Sequence, residues 1–91
     1  MVSDHKPRQV LLAELKEAAR LVGVGQKYVH YKSPDKTYTV INIAITEVDD
    51  ELCVIYQADY SPELVFVRPL SSWLEKVQYK GKAIDRFKTL T

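Results

Sequence analysis

Cysteine is nearly absent: Cys53 is the only one, so no intrachain disulfide can form. No Cys/His spacing suits zinc either, so the core must stand without a staple. Glycine is scarce at three residues. Gly23-Val24-Gly25 lacks the third glycine and the following helix that a phosphate-cradling loop needs. The longest apolar-leaning run, Val40 to Thr46, is far short of the roughly 20 residues of a membrane span. Charge of one sign is missing as well. Thirteen Lys and Arg face twelve Asp and Glu, a net charge of +1. That balance argues against strong non-specific binding to nucleic acid, which runs on many phosphate contacts. At 91 residues the chain also excludes large catalytic scaffolds such as a barrel of about 250 residues. Met1 to Gln9 is polar, with no apolar stretch of a secretory signal, and the lone thiol suits a reducing compartment. The expected location is cytoplasmic.

What is present fits an ordinary soluble domain: 46% hydrophobic and 27% charged residues. A chain of this length buries about 60–65% of its unfolded surface, enough for one core. Charge is uneven along it. Glu47, Asp49, Asp50 and Glu51 form an acidic cluster, and Lys76, Lys80, Lys82, Arg86 and Lys88 make the C-terminal end basic. Both read as solvated turns. The acidic turn lacks the ligand count and spacing of a calcium loop, so neither metal nor cofactor is expected.

Residues 1–6 read as frayed. From Pro7 to about Val22 the period is helical, with Leu11, Leu15, Ala18 and Val22 making one apolar stripe, and Leu12, Ala19 and Leu21 broadening it. Ser3 or Asp4 is the expected cap, Pro7 suits the first turn, and Gly23 is the expected stop. After Gly25 the pattern turns to strands. Lys27–Lys32 alternates, with Val29 and Tyr31 opposite Tyr28, His30 and Lys32. Ser33–Lys36 reads as a turn around Pro34. Thr37–Glu47 follows as a long strand, apolar on both faces over Val40–Ile45. Leu52–Ala58 returns, then Glu63–Arg68, which Pro69 ends. Ser71 or Ser72 opens a helical turn carrying Trp73. Val77–Tyr79 and Ala83-Ile84 make a short hairpin about Lys80-Gly81, and Asp85–Leu90 adds an edge strand.

Short antiparallel strands with tight turns predict an α+β fold: an N-terminal helix followed by a small, SH3-like, partly open β-barrel. Residues 1–24 form the helical extension and residues 25–91 the barrel domain. The helix stripe packs on its own barrel or, as an alternative, forms a homodimer or docks a partner.

From Gly25 to Leu90 the chain resembles a family of small bacterial domains, domain of unknown function 1653. The likeness rests on Tyr28-Val29-His30-Tyr31-Lys32 followed by Tyr38-Thr39-Val40. It rests also on Val54-Ile55-Tyr56 leading into Phe66-Val67-Arg68-Pro69-Leu70, and on Gly81 followed by Arg86-Phe87. The chain departs from the family at Asp85, where Pro is frequent, and at Trp73, where Phe is common. The resemblance implies a compact β-rich domain and no particular activity.

The candidate contact face is Tyr28, His30, Lys32, Tyr60 and Arg68, with Tyr56 at its edge. Arg68 ends an apolar strand face (Leu64, Phe66) with a guanidinium, whose rigid fork suits a carboxylate or phosphate. Tyr28 and Tyr60 are expected to be exposed, where they could stack a base or grip a peptide. Trp73 is expected to plug the open end of the barrel. Cys53 sits mid-strand with no base beside it and reads as a small buried residue rather than a nucleophile. The leading expectation is a non-enzymatic binding module for a nucleic acid, a nucleotide or a peptide. The runner-up is a small enzyme with His30 as acid–base and Arg68 as anion clamp.

Overall fold

The computed structural model describes residues 5–90. Helix α1 spans Arg8–Leu21. It starts where Pro7, with φ −56°, turns its carbonyl to the amides of Val10 and Leu11 at 3.0 and 3.1 Å. The expected caps Ser3 and Asp4 lie outside the described residues. Ala18 and Val22 are buried and Leu15 packs beside them, while Leu12 and Leu21 remain exposed, so the working stripe is narrower than its sequence period. The residue that needs a left-handed backbone is Gly25, at φ +87°, rather than Gly23.

Of residues 1–6, expected to fray, His5 and Lys6 are tied down. His5 Nδ1 meets Asp50 Oδ1 at 2.7 Å, and the Lys6 amide donates to Asp50 Oδ2 at 2.7 Å. Asp50, at φ 59°, is therefore a buried knot of the acidic turn and not a solvated charge. Its carboxyl is held below the usual carboxylate range, first by the Lys6 amide and then by His5.

Strands β1 (Lys27–His30), β2 (Ser33–Ile45), β3 (Leu52–Ala58), β4 (Val65–Pro69) and β7 (Phe87–Thr89) form one antiparallel sheet in the order β4-β3-β2-β1-β7. Between β4 and β7 in sequence come the short helix α2 (Leu70–Trp73) and the hairpin β5 (Lys76–Tyr79) and β6 (Lys82–Asp85). The hairpin turns through Lys80 at φ 53° and Gly81 at φ 80°, the paired positive values that match strand twist.

The main sheet does not close into a barrel, so of the expected SH3-like, partly open barrel only the open antiparallel sheet is seen. The hairpin stands apart as a two-stranded sheet, and the main sheet keeps two edges, β4 and β7. The fold is α+β with an open, curled sheet. Curling brings the edges near each other on the concave face, where the Arg68 guanidinium carbon of β4 lies 5.3 Å from the ring centre of Phe87 in β7.

Two register shifts account for the other departures. The pairing Val29↔Thr37 jumps to His30↔Ser33, so the tight turn is Tyr31-Lys32 and Pro34–Lys36 bulge out of β2. The pairing Val40↔Tyr56 jumps to Asn42↔Ile55, which leaves Ile41 without a partner. A period-two reading puts Val40 and Ile43 on opposite faces. The bulge at Ile41 shifts that parity, so both are buried in one core while Ile41 is exposed. That core joins Ala18 and Val22 of α1 to Tyr28, Val40, Val54, Tyr56, Trp73 and Phe87. No helix among the described residues is long and apolar enough to cross a membrane.

Candidate functional site

Cross-strand partners point the same way, so the register fixes which side chains share the concave face. Tyr56 opposes Val40 and Phe66, Val54 opposes Arg68, and Tyr28 opposes Tyr38. All of these face the core. Helices α1 and α2 cover part of that face. The uncovered part is an open cleft of about 350 Å³ lined by His30, Ser33, Tyr38, Tyr56, Phe66, Arg68 and Phe87. Every strand of the main sheet supplies at least one of these residues.

Its floor is aromatic. Tyr56 stands 5.6 Å from Tyr38, 5.5 Å from Phe66, 5.6 Å from Phe87 and 5.1 Å from Trp73, measured between ring centres. Edge-to-face contacts in this range add to the area they bury. Burial of the Tyr38 hydroxyl, with Tyr60 hydrogen-bonded to it, pushes its pKa up to about 12. Tyr38 therefore stays a neutral phenol at any working pH.

Two cationic-type groups stand at the rim. Arg68 donates from Nη1 to Ser72 Oγ at 2.9 Å and lies over the Phe87 ring. Among the described residues no carboxylate pairs with it, whereas Arg86 holds Glu75 at 2.6 Å and Arg20 holds Glu17 at 2.6 Å. No acidic residue lines the cleft. The ring of His30 packs on Phe87 at 5.0 Å. Its Nδ1 accepts the Lys32 amide at 3.1 Å, which assigns the neutral proton to Nε2. Burial, then the charges of Arg68, Arg86 and Lys32, push the His30 pKa down. The neutral ring still offers one N–H donor.

Of the six residues expected at the contact face, His30, Tyr56 and Arg68 come together in this cleft. Tyr28 does not. It is buried, its hydroxyl accepts the Gly23 amide at 2.9 Å, and its ring meets Trp73 at 5.2 Å. The reason is that β1 lies inside the sheet, between β2 and β7, so its Tyr28 face is core rather than solvent. Lys32 sits in the turn beyond β1, exposed, with Nζ over the Tyr31 ring, and reaches His30 only through its backbone. Tyr60 is exposed as expected and stands one ring away from the cleft, 5.8 Å from Tyr38, with Lys36 over it. Trp73 plugs no open barrel end. It is stacked on Phe87 at 3.8 Å inside the core.

Sequence reasoning missed Ser33, Tyr38, Phe66 and Phe87. For Phe66 the signal was available, because it alternates with Arg68. For Tyr38 and Phe87 it was not, since both depend on strand pairing. Cys53 lies on the opposite face of β3 from Tyr56, buried, with burial raising its pKa, so it makes no pair with His30. Among the described residues no cluster of three His, Cys, Asp or Glu could hold a metal.

A family model for a protein of unknown function, DUF1653, matches residues 26–89, and so spans every strand that lines the cleft. The chain belongs to the DUF1653 family. The crystal structure of a DUF1653 protein from Bordetella bronchiseptica is similar at 28% identity and a TM-score of 0.59. The similarity covers 69% of this chain and 81% of that one. No curated protein matches. Membership of the DUF1653 family brings a fold and no assigned activity.

The two histidines of this DUF1653 chain should titrate on opposite sides of 6.5. His5 is raised, chiefly by its hydrogen bond to Asp50. Its contribution to stability is present below 6.5 and lost as pH rises through its folded pKa. His30 is lowered, so its contribution is present above 6.5 and lost as pH falls through its folded pKa. Imidazole NMR titration checks this directly. A His30 midpoint above that of His5 would contradict the geometry described.

Proposed function

We propose that this domain is a non-enzymatic binding module whose cleft takes an apolar or aromatic group carrying a carboxylate or phosphate. One observation carries the reading. Arg68 is a half-buried guanidinium with no carboxylate partner among the described residues, set beside an aromatic floor. A guanidinium in such a place has donors to spare for an anion, and the low-dielectric rim strengthens the bond. Its volume lies within the range of small-molecule clefts. The use of an aromatic concave surface is SH3-like in character. The lone buried thiol suits a cytoplasmic setting. An acid–base role for His30 would need the site to shut out water. The cleft is open, which favours binding over catalysis.

The probe is phenyl phosphate, with phenol as the neutral control, followed by amide and side-chain NMR. Saturable shifts at His30, Phe66, Arg68 and Phe87 are expected with phenyl phosphate. Replacing Arg68→Gln should weaken them about tenfold or more, because a charged hydrogen bond is worth about 1.5–3 kcal/mol. Equal response to phenol and phenyl phosphate would sink the anion reading.

A further inference from the structure

Strand β4 is an edge of the main sheet, and it also supplies Phe66 and Arg68 to the cleft. Its two rows of backbone groups can be told apart. The Ala58 amide donates to the Leu64 carbonyl at 3.0 Å, while the Leu64 amide donates to the Ser61 carbonyl at 2.9 Å, so in this register Phe66 and Arg68 turn their peptide groups toward β3. Val65 and Val67 then turn theirs outward, where no further strand pairs with them among the described residues. Pro69 falls in the same outward row, the one place where a missing N–H disturbs no ladder bond. Val65 and Val67 are 53% and 65% exposed. Edges of this kind are usually blunted by charge, by a bulge or by a cover. Pro69 blunts the end of β4, and over Val65–Val67 none of these is present among the described residues.

We propose that the ligand of the cleft is an extended, carboxylate-bearing peptide that adds antiparallel to β4 as a sixth strand. This rests on the anion-binding reading of the cleft. Antiparallel addition continues the pattern of the whole sheet and gives the better-aligned ladder. Side chains on a strand repeat every two residues. Phe66 and Arg68 are two apart on one face, so the added strand must present two cleft-facing side chains with the same spacing. Charge complementarity fixes their order. An acidic residue stands opposite Arg68, and two positions later an apolar or aromatic residue stands opposite Phe66 and packs on its ring at the mouth of the cleft. The residue between them lies opposite Val67 and exchanges backbone hydrogen bonds with it. The recognised pattern is thus acidic-x-aromatic, read from the peptide's N-terminus.

The test uses the full chain and a capped nine-residue peptide with Glu-Thr-Tyr at its centre in a Thr/Val background. Expected are slowed amide exchange at Val65 and Val67 and shifts at Phe66 and Arg68. N-methylation of the central Thr removes its ladder donor without touching a side chain, and should weaken binding at least tenfold. The reversed centre, Tyr-Thr-Glu, should weaken it similarly. On the protein side, Val67→Pro removes an outward N–H at an edge position that tolerates proline. Its fold is checked by the unchanged spectrum of the remaining residues and by retained response to phenyl phosphate. If the N-methylated and parent peptides bind equally, strand addition is overturned while the cleft reading stands on phenyl phosphate. If neither peptide nor phenyl phosphate shifts the cleft, both fail together. If Val65 and Val67 become protected with rising protein concentration alone, the edge belongs to a second copy of this chain and the peptide proposal is overturned.

Discussion

Replacing Trp73→Ala should remove a large share of the stability margin of this protein. Trp73 is 3% exposed and is the meeting point of the core. Its ring stacks on Phe87 at 3.8 Å with planes 3° apart, and takes edge contacts from Tyr28 at 5.2 Å and Tyr56 at 5.1 Å. Truncating a buried aromatic of this size costs about 3–5 kcal/mol, because the transfer energy is lost and the neighbours cannot collapse fully into the space. A domain of this length has about 5–14 kcal/mol in total. The urea midpoint should therefore fall by roughly 2 M or more, given the shallow slope of a small protein. Trp73→Phe should be far milder, under about 2 kcal/mol, since a smaller ring can keep the stack on Phe87. The cleft would report the damage too, because Phe87 and Tyr56 line it and both rest on Trp73. An alanine variant with a midpoint within error of the parent would show that the aromatic stack is not what holds the concave face.

The elements that sequence made legible are those with a local cause. The helix follows from its apolar stripe, and the β5–β6 hairpin follows from Lys80-Gly81. The end of β4 follows from the missing N–H of Pro69. What stayed hidden depends on register. No local signal marks Ile41 as the residue to be skipped, so Val40–Ile45 reads as two-faced when its buried side chains share one face. No local signal sends Phe87 back beside β1, a pairing that needs the intervening α2 and hairpin to be placed first. The open sheet has the same origin. The strand pattern suggests one partly open barrel that takes in every strand, and only the pairing shows that the hairpin stands apart from the main sheet.

The site divides along the same line. His30 and Arg68 stand out by residue type, and the alternation of Phe66 with Arg68 puts an aromatic beside the guanidinium. Tyr28 shares the face of His30, as its spacing predicts, yet that face is core at one residue and cleft at the other. Depth under α2 makes the difference, and depth is a tertiary property. His5 shows the converse. As a lone polar residue near the start of the chain it carries no sequence signal, and its partner Asp50 lies far away in the acidic turn.

Asp59 should make the fold acid-sensitive well below the usual carboxylate range. Its carboxylate accepts from the hydroxyls of Thr37 at 2.5 Å and Thr39 at 2.6 Å, and from Lys27 Nζ at 3.0 Å. The Asp59 amide also donates to the Thr37 carbonyl at 3.0 Å. The group thus clamps β1, β2 and the end of β3 from the outer face, while Tyr38, between the two threonines, points into the cleft. Those hydrogen bonds, the threonine hydroxyls first, pull its pKa from 3.8 to about 2. A depressed carboxylate stabilises the folded state above the unfolded pKa, and the benefit is lost as pH falls through the folded one. A displacement of this size corresponds to about 2 kcal/mol. Asp59→Asn should therefore be less stable than the parent by up to about 2 kcal/mol at pH 7, with the gap narrowing from about pH 4 downward and nearly closed at pH 2. Urea midpoints of the two proteins across that range measure the gap. A gap that is constant from pH 7 to pH 2 would mean that shape, and not the ionised carboxylate, holds the clamp. If the gap does close, the Tyr38 ring should loosen over the same interval, and phenyl phosphate binding should weaken with it, since the clamp fixes the strand from which Tyr38 enters the cleft.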